Sequence, residues 1–181
     1  QLRYSSAEIK DKDDKSVSQD LQKILTMARP KFIYTHNLAD KHDTHVAVAL
    51  RVIQAIRALP KEDRPEALYG CEVWRGLDWL CDSEKLVFDV SGRDNIAAAL
   101  AGVYDSQIAG GKRYDLAVTG RRLANATFLA SHAVDKTDSA IYAVNMTPLI
   151  RDDKLSPAEF ILSKVDNFYM ETKERVLKYS V

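Results

Sequence analysis

The chain has little cysteine: Cys71 and Cys81 are the only two in 181 residues. Two thiols cannot build a disulfide scaffold, and they lack the four-ligand spacing of a structural zinc site. They flank Trp74 and Trp79 in an apolar stretch and read as buried thiols of a reducing compartment. Net charge is absent as well. Twenty-six basic residues balance twenty-six acidic ones, so no basic excess points to a nucleic acid. No apolar run reaches the length of about 18 residues that a spanning helix needs, which argues against a membrane partner. The first twenty residues, Gln1–Asp20, are polar and charged throughout and carry no secretory pattern. A cytoplasmic location is the expectation. Nucleophile signatures are missing too: there is no G-x-S-x-G elbow, and neither cysteine has a histidine beside it in sequence. Gly110-Gly111-Lys112 lacks the first glycine and the spacing of a phosphate loop and reads as a turn.

What remains is a composition of 46% apolar and 29% charged residues, which belongs to an ordinary globular chain. Its length predicts one domain covering residues 1–181. Lys10–Lys15 is a charge run and reads as a solvated loop. From Ser16, Val17, Leu21, Ile24 and Leu25 recur at helical steps until Pro30 stops them. Phe32–Thr35 is a β-branched and aromatic run, the pattern of a buried strand. A polar elbow, His36–Asp43, follows, and then Val46, Ala49, Leu50, Ile53 and Ile56 line a second helix. Helix, strand, elbow and helix in this order predict an α/β fold, in which ligands gather at the carboxyl ends of strands. Leu68–Trp74, Lys85–Val90 and Ser139–Met146 read as further strands, and Arg93–Tyr104 and Arg113–Ser131 as helices. The last helix has an explicit start in Ser156, Pro157 and Glu159, with Ile161, Val165, Phe168 and Val176 as its apolar stripe.

Three of the four histidines, His36, His42 and His45, fall within ten residues of that elbow, interleaved with Asp40 and Asp43. His42 and His45 are three apart at a helix start, so both rings can leave the same edge of the first turn. Neutral imidazole binds zinc well, and a carboxylate can ligate directly or fix the ring tautomer from behind. The plain alternative is a surface loop that holds histidines by chance. The HxxH spacing with two aspartates, directly after a buried strand, favours a site.

Asp40-Lys41-His42-Asp43-Thr44-His45, following Phe32–Tyr34, resembles the D-x-H-P-D-H motif of the PIG-L/LmbE-like zinc-dependent N-deacetylases. Ala98-Ala99-Leu100 with Tyr104-Asp105-Ser106-Gln107 is similar to that family's A-L-x-x-Y-x-S-Q element. Phe128–His132 and Asp135–Pro148 resemble its last part, so the likeness runs from about Ser18 to near the C-terminus. The resemblance implies a Rossmann-like three-layer fold with a mainly parallel sheet. It also implies hydrolysis of an N-acetyl amide, typically on a glucosamine-type sugar, with Zn2+ or another divalent ion as cofactor. On it, His45 is a metal ligand, His42 stabilises the tetrahedral intermediate and supplies a proton, and Asp40 or Asp43 orients the rings. Tyr104, Gln107 and His132 become candidate substrate contacts, beside plainer packing and helix-end roles.

Two departures accompany the likeness. Asp43-Thr44 stands where the motif has Pro-Asp, which displaces one carboxylate by a position. The family's A-H-P-D-D motif, source of further zinc ligands and the general base, does not occur in these residues. Because that motif lies near the family's N-terminus, and the chain starts at Gln1 rather than Met, the expectation is the C-terminal portion of a longer deacetylase domain. Its partners would be that N-terminal segment and a small N-acetylated substrate, with homo-oligomerisation left open. The segment alone would be inactive. A non-catalytic sugar-binding or regulatory relative is the alternative.

Overall fold

A computed structural model describes residues 1–180. The chain divides into two compact units, one of residues 1–85 together with the chain from Ala143 on, the other of residues 86–142.

The first unit starts with a short helix, α1 (Ser6–Lys10), closed by a capping box in which Ser5 and Glu8 satisfy each other's backbone N–H groups. This helix takes the start of the charge run expected to be loop. Helix α2 (Ser16–Ala28) buries Val17, Ser18 and Leu25 and leaves Ile24 exposed. It ends two residues before Pro30, and between them Arg29 turns left-handed (φ 44°) and donates its N–H to the Leu25 carbonyl. Strand β1 (Phe32–His36) then leads through the elbow into α3 (Asp43–Arg57), whose inner face is Ala49, Ile53, Ala55 and Ile56. Strand β2 (Ala67–Cys71) lies parallel to β1, with Phe32 opposite Ala67 and His36 opposite Cys71. It is shorter than its apolar run, because Glu72, Val73 and Trp74 leave the ladder.

Arginines fasten the link between α3 and β2. Buried Arg64 donates to the carbonyls of Leu59, Ile150 and Arg57 and holds Asp153 through two nitrogens. Arg57 reaches the carbonyls of Leu149, Asp152 and Leu155 in and after a short helix of residues 148–151. A buried backbone carbonyl needs a donor, and a guanidinium supplies several in one plane.

The second unit begins with β3 (Lys85–Asp89), of which all but Lys85 belongs to it. Helices α4 (Asp94–Gly102), α5 (Ser106–Ala109) and α6 (Tyr114–Phe128) follow. Asn125 is buried on α6, donates its Nδ2 to the Ala140 carbonyl and receives the Tyr142 hydroxyl on its own carbonyl. Strand β4 (Ala140–Asn145) carries the chain back into the first unit. There it pairs antiparallel with β2, Tyr69 facing Asn145 and Cys71 facing Ala143. The helix of residues 148–151 is α7, and α8 (Pro157–Tyr179) closes the chain, capped by the Ser156 hydroxyl, which accepts the Glu159 N–H. Its apolar stripe is buried only at Phe160 and Ile161, while Val165, Phe168 and Val176 stand at the surface.

The fold is therefore mixed α/β, with a four-stranded open sheet in the order β1-β2-β4-β3 among the described residues. The expected mainly parallel sheet is corrected here: β1 and β2 are the one parallel pair, and the sheet is mostly antiparallel. The reason is the route of the chain. Strand β4 enters beside the carboxyl end of β2, so no crossover returns it to the other end before pairing.

Candidate metal centre

Strand β1 delivers His36 at its carboxyl end, and α3 presents His45 in its first turn. Between them the elbow is held by its own side chains. Asn37 is fully buried; its N–H donates to the Cys71 carbonyl at 3.2 Å, and its Oδ1 accepts the Ala39 N–H at 2.7 Å. Asp40 Oδ1 accepts the backbone N–H of His42 at 2.9 Å, which sets His42 in extended backbone as the residue ahead of α3. An aspartate that bonds the backbone two residues ahead is the usual way to close such a turn. Gly70 on β2 makes room for it: a Cβ there would stand 2.8 Å from Met146 Sδ and 3.1 Å from both Cα and Cβ of Asn37.

The same Asp40 carboxylate, 1% exposed, sits among three imidazoles. His45 Nδ1 lies 2.9 Å from Oδ1, a hydrogen bond in which the ring donates when Nδ1 carries the proton. That tautomer leaves Nε2 with its lone pair available for a cation. His36 Nδ1 is 4.0 Å from Oδ2, and its ring stacks on His45 at 3.9 Å between centroids and 5° between planes. His42 Nδ1 is 3.6 Å from Oδ1, too far for a bond, and is buried with no partner. Its ring tilts against His45 on one side and Trp74 on the other, at 4.9 and 4.7 Å. Burial, and then the nearby His45, hold the His36 imidazole below its usual pKa against the opposing pull of Asp40. The neutral ring this favours is the form that ligates.

His36, Asp40 and His45 could together hold a metal ion, since one ligand atom from each falls within 4.8 Å of the others. Two imidazoles and one carboxylate form a donor set that suits zinc and its first-row neighbours. His36 carried no role in the sequence reading beyond its membership of the histidine cluster. Its one local signal was its place at the end of a strand, where α/β folds collect ligands.

A cavity of about 500 Å3 opens over these three side chains, with Thr35, Glu72 and Trp74 on its walls. Glu72 is 7% exposed, and Trp79 Nε1 donates to its Oε2 at 3.3 Å. Burial raises its carboxyl pKa, with the Asp40 charge adding to the rise; the Trp79 bond and the Arg75 backbone N–H oppose it. Glu72 escaped the sequence reading because nothing local marks it. Only the parallel pairing of β1 with β2 brings the residue after Cys71 beside the end of β1.

The other sequence candidates lie elsewhere. Asp43 is exposed as the first residue of α3, and no hydrogen bond among the described residues joins it to an imidazole. Tyr104, Gln107 and His132 belong to the second unit and are all exposed: Tyr104 after α4, Gln107 on α5, His132 in the turn after α6. No family model and no curated protein matches the chain.

Proposed function

We propose that the protein is a metal-dependent amide hydrolase of the PIG-L/LmbE-like kind, removing an N-acetyl group from a glucosamine-type or related small amide with Zn2+ as cofactor. The observation that carries this reading is the buried Asp40 carboxylate bonded to His45 and surrounded by His36 and His42 at the carboxyl end of a strand. On this reading the chain is the C-terminal portion of a Rossmann-like three-layer domain. An N-terminal segment bearing the A-H-P-D-D motif then supplies the remaining ligands and the general base.

His45 and His36 would hold the ion, with Asp40 either ligating or fixing the His45 ring. A bound zinc ion lowers the pKa of water to about 7 and polarises the amide carbonyl. Asp40 keeps His45 in one tautomer and one orientation, so the ring need not reorganise when it ligates. His42, wedged between His45 and Trp74, stands ready to give a ring proton to the departing amine nitrogen. Water adds to the carbonyl carbon, the C–N bond breaks, and acetate and a free amine leave. Trp74 and the valines give the cavity an apolar wall beside the reacting group.

The absence of A-H-P-D-D favours a second reading, a sugar-binding or regulatory relative without catalysis. Metal content separates the two. Full-length protein that includes the A-H-P-D-D segment, loaded with zinc and dialysed, should retain close to one equivalent by elemental analysis, and His45→Ala should lose it. Retention of no metal would overturn the hydrolase reading.

A further inference from the structure

Two buried polar atoms on the wall of the histidine cavity have no hydrogen-bond partner, Thr35 Oγ1 and Glu72 Oε1. An unpaired buried acceptor or donor is costly, and folded chains keep one mainly where something else completes it. Glu72 is more than nine-tenths buried, and its other oxygen is already engaged by Trp79. The carboxylate is therefore held in place with one acceptor open. It also lies outside the group that could hold a metal, which is His36, Asp40 and His45. A metal at that group leaves Glu72 unexplained.

We propose that Glu72 and Thr35 are the anchoring pair for a ring hydroxyl of the bound ligand. Glu72 Oε1 accepts the hydroxyl proton, and Thr35 Oγ1 donates to the hydroxyl oxygen. A hydroxyl is the smallest group that both donates and accepts, so its chemistry matches an open acceptor and an open donor on one wall. An alkyl group satisfies neither, and an ammonium has no lone pair for a threonine donor. Trp74 on the same wall adds an aromatic face of the sort that packs against the apolar side of a sugar ring. The inference rests on the amide-hydrolase reading and adds to it the two residues that hold a ring hydroxyl of its glucosamine-type substrate.

The test compares two probes on zinc-loaded protein by NMR titration: N-acetylglucosamine, and N-cyclohexylacetamide, which keeps ring and amide but has no hydroxyl. The wild-type protein should prefer the sugar by about tenfold, the worth of one well-made buried hydrogen bond. Glu72→Leu and Thr35→Val should each erase most of that preference while zinc stoichiometry stays unchanged. Thr35→Val removes only an unpaired hydroxyl, so its melting temperature without ligand should hold or rise; a structural role would lower it. This variant also keeps the question answerable if Glu72→Leu does not fold. Zinc bound with equal affinity for the two probes, or a preference that survives both substitutions, would overturn the anchoring pair and leave the metal reading intact. A wild-type protein that takes up no zinc would instead overturn the hydrolase reading, and the pair with it.

Discussion

His45 Nδ1 stands 2.9 Å from Asp40 Oδ1, and the same oxygen accepts the backbone N–H of His42 at 2.9 Å. One carboxylate atom thus shapes the turn into α3 and aims a ring that leaves the helix. Geometry of the backbone and chemistry of the site are tied to a single residue. Asp43, the other carboxylate of the elbow, is exposed and does neither.

Asp40 and Asp43 should therefore separate cleanly. Asp40→Asn leaves an amide that binds the His45 proton weakly and lacks charge; zinc affinity should fall by about 10- to 100-fold. Asp43→Asn should stay within about twofold, the size of an ordinary surface change. Competition titration with a chromophoric chelator reads both. Equal losses at the two positions would contradict the geometry.

Gly70→Ala tests whether the elbow depends on the close approach of β2. The added methyl meets Met146 Sδ at 2.8 Å and the Asn37 backbone at 3.1 Å. A thioether can move aside, but the Cα of a fully buried residue cannot do so cheaply. Denaturant unfolding should show a loss of about 1–3 kcal/mol, the usual cost of overpacking. Zinc affinity should fall with it, since Asn37 precedes the turn that carries Asp40.

Arg64→Ala removes a guanidinium that serves three backbone carbonyls and one carboxylate. The carbonyls are left in a buried setting without donors. Stability should drop by about 2–4 kcal/mol at neutral pH, within the range for breaking a buried polar network. The metal group lies on other elements, so zinc stoichiometry of the folded fraction should not change.

In the second unit, Asp89 offers a pH signature. Hydrogen bonds from the Thr137 hydroxyl first, and then from the Ser91 backbone and side chain, lower its carboxyl pKa to about 2. The unfolded chain holds an ordinary aspartate near 3.9. Between those values the unfolded state binds more protons, so this contribution to stability is complete above about pH 4 and is lost as pH falls toward 2. Thr137→Val should raise the Asp89 pKa in an NMR titration. Wild type should be the more stable near neutrality, with the difference closing as pH approaches 2. An unchanged Asp89 titration would refute the assignment.

Cys71 should be a slow thiol. Burial pushes its pKa up to about 11, so little thiolate exists at pH 8. In a Cys81→Ala background, alkylation by iodoacetamide should run at least about tenfold slower in the native protein than in denaturant. A native rate equal to the denatured one would show that the thiol is not shielded.

Local signals carried most of the elements. Apolar spacing marked α2 and α3, Ser156-Pro157 marked the start of α8, and β-branched runs marked the strands, because each depends on residues within one turn or one pleat. Helix α1, which meets the charge run only at Lys10, carries no apolar signal, because a capping box with no buried residue behind it makes the helix. The far stripe of α8 was overread for the opposite reason: its period is helical, but nothing in the first unit covers Val176, which is 60% exposed.

The amino-acid order alone determined that His42, His45 and the two aspartates of the elbow would lie close together, because the elbow is short and its donors are neighbours in the chain. Which aspartate serves them, that His36 joins them, and that Glu72 faces them were decided only by the folded arrangement. Those facts depend on strand direction and on which strand ends lie side by side. A strand's own residues encode its faces but not its neighbour or its direction, and pairing across the stretch from Cys71 to Ala143 is settled by packing over the whole unit.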